Sequence, residues 1–124
     1  LNEATRDRRG DMQLLSMLGY ALEKQNKLME AERVLARLIE NDPENTNGMN
    51  SLAFVYCRLE KNYTEALALV KKALTREPKN PSYLDTLGMI YANRGNTAAA
   101  RKTLKKALEL APGHPEIMAH LTRI

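Results

Sequence analysis

Three sets of residues recur along this chain at one interval, and an interval of that length leaves few folds open. A leucine followed by a small residue occurs at Leu18-Gly19, Leu52-Ala53 and Leu87-Gly88. An alanine within a run of helix formers recurs at Ala31, Ala66 and Ala100, and a proline at Pro43, Pro78 and Pro112. The small residues are 34 and 35 positions apart, the alanines 35 and 34, the prolines 35 and 34. One extra residue between Ala53 and Ala66 accounts for all three offsets, and the turn Glu60-Lys61-Asn62-Tyr63 is where an insertion costs least. A period of this size is the mark of a stacked array, in which each unit buries its apolar face on its neighbours.

Within a unit the residues fall into two helices. In the third, Ser82 to Asn93 carries Tyr83, Leu84, Leu87, Ile90 and Tyr91 at helical spacing, with apolar residues on more than one side. Asn93-Arg94-Gly95-Asn96 breaks the pattern, and Gly95 suits the left-handed residue that follows a helix. A second helix is expected from Thr97 to Ala111, its buried stripe made of Ala100, Leu104, Ala107 and Leu108. Asn80 before Pro81 reads as an N-cap with proline in the first turn, where a missing amide proton costs nothing. His114-Pro115 repeats that arrangement, and Asp11 before Met12 reads as the corresponding cap of the first unit. The units are placed at 12–45, 46–80 and 81–114, with a polar segment 1–11 ahead of them and 115–124 opening a fourth. In that last stretch Ile117, Met118, Leu121 and Ile124 share a side and are expected to cover the third unit. Gly19, Ala53 and Gly88 should let the first helix of each pair approach the second closely, with Ala31, Ala66 and Ala100 doing the same from the other side.

On these residues the chain resembles the tetratricopeptide repeat (TPR) family over positions 12–124. The third unit matches best, with Leu84, Leu87-Gly88, Tyr91, Gly95, Ala100, Leu104, Ala107 and Pro112 at the family's signature spacings. The second supplies Met49, Leu52-Ala53, Tyr56, Ala66, Val70, Ala73 and Pro78, but lacks the turn glycine. The first has Leu15, Leu18-Gly19, Ala31, Leu35 and Pro43; it places Leu22 where the family has tyrosine and Leu38 where a small residue is usual, which is expected to loosen or widen packing there. The resemblance implies an all-α fold, antiparallel helix pairs stacked into a right-handed superhelix whose concave face is lined by the first helices. The second, fifth, ninth, twelfth and thirteenth residues of each unit are then implied to point into the groove. These are Gln13, Ser16, Tyr20, Glu23 and Lys24; Asn47, Asn50, Phe54, Cys57 and Arg58; and Ser82, Asp85, Met89, Ala92 and Asn93. Tyr20, Phe54 and Met89 give one apolar residue per unit, amid amides and hydroxyls suited to a peptide backbone; the alternative is that these three only pack between adjacent helices. The family's carboxylate clamp for chaperone C-termini uses lysine, asparagine and arginine at the fifth and ninth residues of its first and third units. Those places hold Ser16, Tyr20, Asp85 and Met89 here, and Asp85 would repel a terminal carboxylate.

Composition narrows the chemistry. The only cysteine, Cys57, excludes an internal disulfide and a Cys-rich zinc site; it is expected to border the groove beside Arg58, a neighbour that lowers a thiol pKa, but is read first as a small packing residue. His114 and His120, with Glu116 between them, are too few for a metal set. No Gly-rich phosphate loop, nucleophile–base pair or paired carboxylates appear, which points away from an enzyme. Arg9-Gly10-Asp11 spells an integrin-type tripeptide and is read as chance. The net charge of +4 comes from 19 basic and 15 acidic residues. Arg37, Lys71-Lys72 and Lys105-Lys106 hold equivalent places in the second helices, with Arg33, Arg101 and Lys102 nearby, a basic ladder on the outer face. Without interleaved aromatics it reads as a solvated face rather than a nucleic-acid site, with weak attachment to an acidic surface as the alternative. Glu23→Lys27 and Lys105→Glu109 read as ordinary solvent-facing pairs.

The chain is therefore read as a non-catalytic scaffold or adaptor with no cofactor or metal, a protein-interaction module binding a peptide or partner helix in its concave groove. No nucleic-acid partner and no membrane insertion are expected, since the longest apolar run is Leu52 to Cys57; self-association stays open. The alternative is a structural segment of a longer bacterial scaffold in the envelope, secretion or assembly. Opening on Leu1-Asn2-Glu3 with no initiator Met or signal peptide, the chain is expected to be a fragment or processed product, with cytoplasm and bacterial periplasm both open.

Overall fold

The computed structural model describes residues 8–124, with side chains from Arg9 onward. Among the described residues there are seven helices and no strand: α1 (Arg8–Lys24), α2 (Leu28–Asn41), α3 (Thr46–Leu59), α4 (Tyr63–Arg76), α5 (Pro81–Asn93), α6 (Thr97–Leu110) and α7 (Pro115–Arg123). Three-residue turns join α1 to α2, α3 to α4 and α5 to α6, so the helices pair as antiparallel hairpins. Each second helix packs on the next first helix, and α1, α3 and α5 also touch their successors directly, which makes an all-α superhelix.

Volume complementarity sets the spacing within each pair. A Cβ added at Gly19 would lie 2.5 Å from Leu35 Cδ2, and one at Gly88 would lie 2.7 Å from Leu104 Cγ and Cδ2. The large leucine fills the place the glycine leaves empty. In the second pair the same two places hold Ala53 and Val70, both fully buried, so a larger residue on one helix meets a smaller one on the other. Leu38 corrects an expectation. It is fully buried where a small residue is usual, yet nothing is forced apart, because Gly48 sits opposite: a Cβ there would meet Leu38 Cδ2 at 2.8 Å and Ile39 Cδ1 at 3.0 Å. Leu22 likewise packs against the core in the place of the family tyrosine.

Helix starts are fixed by side chains that take up orphan amides. Asn45 Oδ1 accepts from Gly48 N at 2.7 Å, and Asn80 Oδ1 accepts from Ser82 N at 3.0 Å and Tyr83 N at 3.3 Å, with Pro81 in the first turn. His114 Nδ1 takes the same role toward Ile117 N at 3.5 Å. Gly95 is left-handed at φ +83°, as its place in the third turn predicts.

Four local expectations are corrected. Asp11 lies inside the first turn of α1 rather than capping it, because the helix already includes Arg8; Arg9-Gly10-Asp11 is helical too, while the rest of the polar segment, 1–7, lies outside the described residues. The extra residue of the second unit does not lengthen the turn. Instead α3 runs to Leu59, one place further along its unit than α1 or α5, and the chain then reverses through two left-handed non-glycine residues, Glu60 (φ 57°) and Asn62 (φ 53°). Glu23 is buried and bonds to Arg58 instead of facing solvent toward Lys27. In α7, Ile117 is buried with Leu84, Leu104 and Ala107, and Leu121 and Ile124 pack beside them, but Met118 turns outward.

Candidate functional site

The first helices α1, α3 and α5 and the start of α7 surround a cavity of about 210 Å3 on the concave face. Seven of the fifteen residues expected in the groove line it: Tyr20, Glu23 and Lys24 from α1, Asn50 and Phe54 from α3, Ser82 and Asp85 from α5. The other eight lie elsewhere. Gln13, Ser16 and Asn47 line a shallow cleft further toward the α1 N-terminus, with Asn45 and Asp42, and Asn47 Oδ1 accepts from the Tyr83 hydroxyl at 3.1 Å. Met89 is half-buried against the main core, so the apolar row along the groove is Tyr20 and Phe54 without it.

Arg58 and Asn93 spend their donors on the preceding unit. Arg58 Nη1 bonds to Glu23 Oε2 at 2.5 Å and to the Glu23 carbonyl at 3.3 Å, while Nη2 bonds to Asn26 Oδ1 at 2.6 Å. Asn93, one unit on, donates from Nδ2 to the Cys57 carbonyl at 3.0 Å and to Cys57 Sγ at 3.2 Å. In both cases the thirteenth residue of a unit reaches back to the backbone carbonyl of the twelfth residue before it, tying neighbouring hairpins together.

This corrects one expectation for Cys57, the lowered pKa, and agrees with its reading as a packing residue. Its thiol is buried, Arg58 points away to Glu23 and Asn26, and the pKa goes up rather than down, to about 11. Burial is the main cause, with the negative charges of Glu60 and Asp85 adding to it. A thiol held neutral in this way is a packing residue.

The cavity wall is richer in acceptors than in donors. Glu23, Asp85 and Glu116 bring carboxylates to it. The Asp85 carboxylate pairs with His120 Nδ1 at 2.8 Å through Oδ1. The Lys24 ammonium stands at the mouth, 3.9 Å from Glu23 Oε1, 3.9 Å from Glu116 Oε2 and 5.3 Å from the centre of the Tyr20 ring. Asn50 Oδ1 is sealed from solvent and meets no hydrogen-bond donor among the described residues. The Thr86 hydroxyl, also on the wall, donates to the Ser82 carbonyl at 3.2 Å.

Sequence reasoning missed Gly19, Ser51, Thr86, His114, Glu116 and Ile117 on this wall. Two signals were available. Ser51 and Thr86 are sixth residues, next to the fifth-position residues that were chosen. Glu116 is the second residue of the fourth unit, and carrying the positional rule into that partial unit names it.

Two family models described as tetratricopeptide repeat match the chain, at residues 16–81 and 58–124. A TPR repeat-containing protein of Pseudomonas aeruginosa is 34% identical over 111 residues, covering 90% of this chain and 19% of its own length. This chain thus spans about a fifth of that relative. Among solved structures, a mutant O-GlcNAc transferase of Thermobaculum terrenum superposes with a TM-score of 0.86 at 22% identity, covering 94% of this chain and 22% of the other. The first TPR of Spaghetti (RPAP3), bound to an HSP90 peptide, superposes with a TM-score of 0.77 at 23% identity, covering 90% of this chain and 88% of the other.

Proposed function

Because the chain belongs to the tetratricopeptide repeat family, we propose that it is a protein-interaction module that holds an extended segment of a partner protein in its concave cavity. The observation that carries this reading is the convergence of four helices on one cavity that holds an exposed tyrosine, a half-buried phenylalanine and several polar groups. Small recognition sites are concave and combine apolar walls with a few placed polar groups. The cavity, about 210 Å3 and open on one side, accepts one large side chain from an extended segment laid along the groove, whereas a docked helix would lie across its mouth. Spaghetti's first TPR, solved with a peptide bound, is a precedent for this use of the fold. Tyr20→Ala and Phe54→Ala should each weaken partner capture by about tenfold, a typical cost for a groove anchor, while the helical signal and melting temperature hold. Tyr20 is mostly exposed, so its loss costs the fold little. Unchanged capture by both variants would refute the groove.

A second reading, that the chain is a structural segment of a longer array, has its own support. Leu14, Met17 and Leu18 on α1 are 64%, 62% and 48% exposed, whereas Leu52 and Leu87, the counterparts of Leu18, are 2% and 8% exposed under the preceding hairpin. The two readings are compatible, since one uses the concave face and the other the end of the stack.

A further inference from the structure

We propose that the side chain this cavity takes is a cation, the guanidinium of an arginine on the bound segment; this rests on the groove reading above and adds its chemistry. The chain carries a net charge of +4, and its basic ladder is exposed on the second helices. The concave wall carries more acid than base, with Glu23, Asp85 and Glu116 against Lys24 and the Arg58 guanidinium that pairs with Glu23. Among the described residues no donor reaches the second carboxylate oxygen of Asp85, and Asn50 Oδ1 is a sealed acceptor with no donor at all. Asn50 lines the cavity, and its amide can rotate about the last side-chain torsion. Independently of these acceptors, the Tyr20 ring already holds a positive charge. The Lys24 ammonium lies 5.3 Å from the Tyr20 ring centre and 3.9 Å from carboxylates on two different helices. It occupies the mouth as the protein's own stand-in, on a side chain that is 47% exposed and free to swing out.

Arginine suits this wall better than lysine. The acceptors come from three helices, Asn50 on α3, Asp85 on α5 and Glu116 just inside α7, so a planar fork with five donors can engage several at once where a point charge engages one. Its flat face stacks on aromatic rings such as Tyr20 and Phe54. The cavity volume of about 210 Å3 also matches a single long side chain rather than a patch of chain.

The test is an NMR titration of the 15N-labelled full chain with the probes acetyl-Ala-Ala-Xaa-Ala-Ala-amide, Xaa being Arg, Lys, Leu or Glu. The arginine probe should give saturable shifts at the amides of Tyr20, Asn50, Phe54, Asp85 and Glu116, bind about tenfold tighter than the leucine probe and several-fold tighter than the lysine probe. Lys24→Met, which removes the internal competitor, should tighten the arginine probe about threefold, and Glu116→Gln should weaken it by a similar factor. A leucine probe that binds these residues as tightly as arginine overturns the cation proposal and leaves the groove standing. A preference for glutamate overturns it outright. If none of the four probes moves these amides, the groove reading falls with it.

Discussion

Gly88 lies under Leu104 with no room for a methyl group, and the same pair of places holds Gly19 with Leu35 and Ala53 with Val70. An alanine in a helix interior is favoured over glycine by about 1 kcal/mol, but forcing a methyl into a closed core costs about 1–3 kcal/mol. The second effect wins here, because Leu104 is fully buried and its Cγ, not only a free methyl end, stands in the way. Gly88→Ala should therefore destabilise the chain by about 1 kcal/mol, and Leu104→Val by about the same through its lost methylene. Together they recreate the Ala53–Val70 arrangement, so the double variant should be close to the parent in chemical denaturation. Strict additivity of the two losses would show that the pair does not share one space. Small residues of this kind were legible in the sequence because a fixed spacing exposes them. Gly48 was not, since it answers Leu38, an irregularity ten residues upstream that no periodic reading connects to it.

At the scale of the element, helix boundaries were legible where a residue type has one structural use. Asn80-Pro81 and Gly95 mark a start and a stop almost regardless of context. Asp11 misled because an acidic residue is equally at home as a cap and inside the first turn. The extra residue of the second unit misled for a related reason: a longer turn and a longer helix satisfy the same spacing, and the choice depends on which backbone the reversal can adopt. The chain lengthened α3 and placed Glu60 in the left-handed region, where an L-residue costs about 1–2 kcal/mol that glycine avoids. Part of that saving is returned through glycine's freer unfolded chain. Glu60→Gly should thus stabilise the protein by about 0.5–1 kcal/mol, seen as a higher denaturation midpoint with an unchanged slope. No gain would mean that the Glu60 side chain contributes more at that corner than its backbone costs. Seven of the fifteen expected groove residues reached the cavity, and the misses also belong to elements. Arg58 and Asn93 lie in the last turns of their helices, where the rotation between hairpins aims them at the unit before; that rotation has no signature in one unit's sequence. Gln13, Ser16 and Asn47 fall outside because α7 closes the groove at the other end, drawing the cavity away from them.

For the whole molecule, stability in a stacked array is close to a sum of unit terms and nearest-neighbour interfaces, so an uncovered end is a measurable deficit. On α1 that deficit has named residues, Leu14, Met17 and Leu18, whose counterparts one and two units on are buried or half-buried against the hairpin before. Removing three such side chains from water, each about half to three-fifths exposed, is worth on the order of 3 kcal/mol. Residues 46–80 can supply the missing hairpin, because they already cover α5 in this way and end on Asn80, a cap suited to the helix that follows. A chain with a copy of 46–80 placed directly before Met12, in place of 1–11, should melt about 5–10 °C above the same chain lacking the copy. Leu18→Asp should leave the shorter chain nearly unchanged, since the residue is half exposed there, yet cancel most of the gain in the extended one. The added hairpin contributes helices in either case, so only the melting temperature and its sensitivity at residue 18 separate a true interface from a passive extension. If the extended chain melts no higher, and sedimentation shows the shorter chain pairing through α1, the apolar end is a surface for self-association and the array reading is wrong.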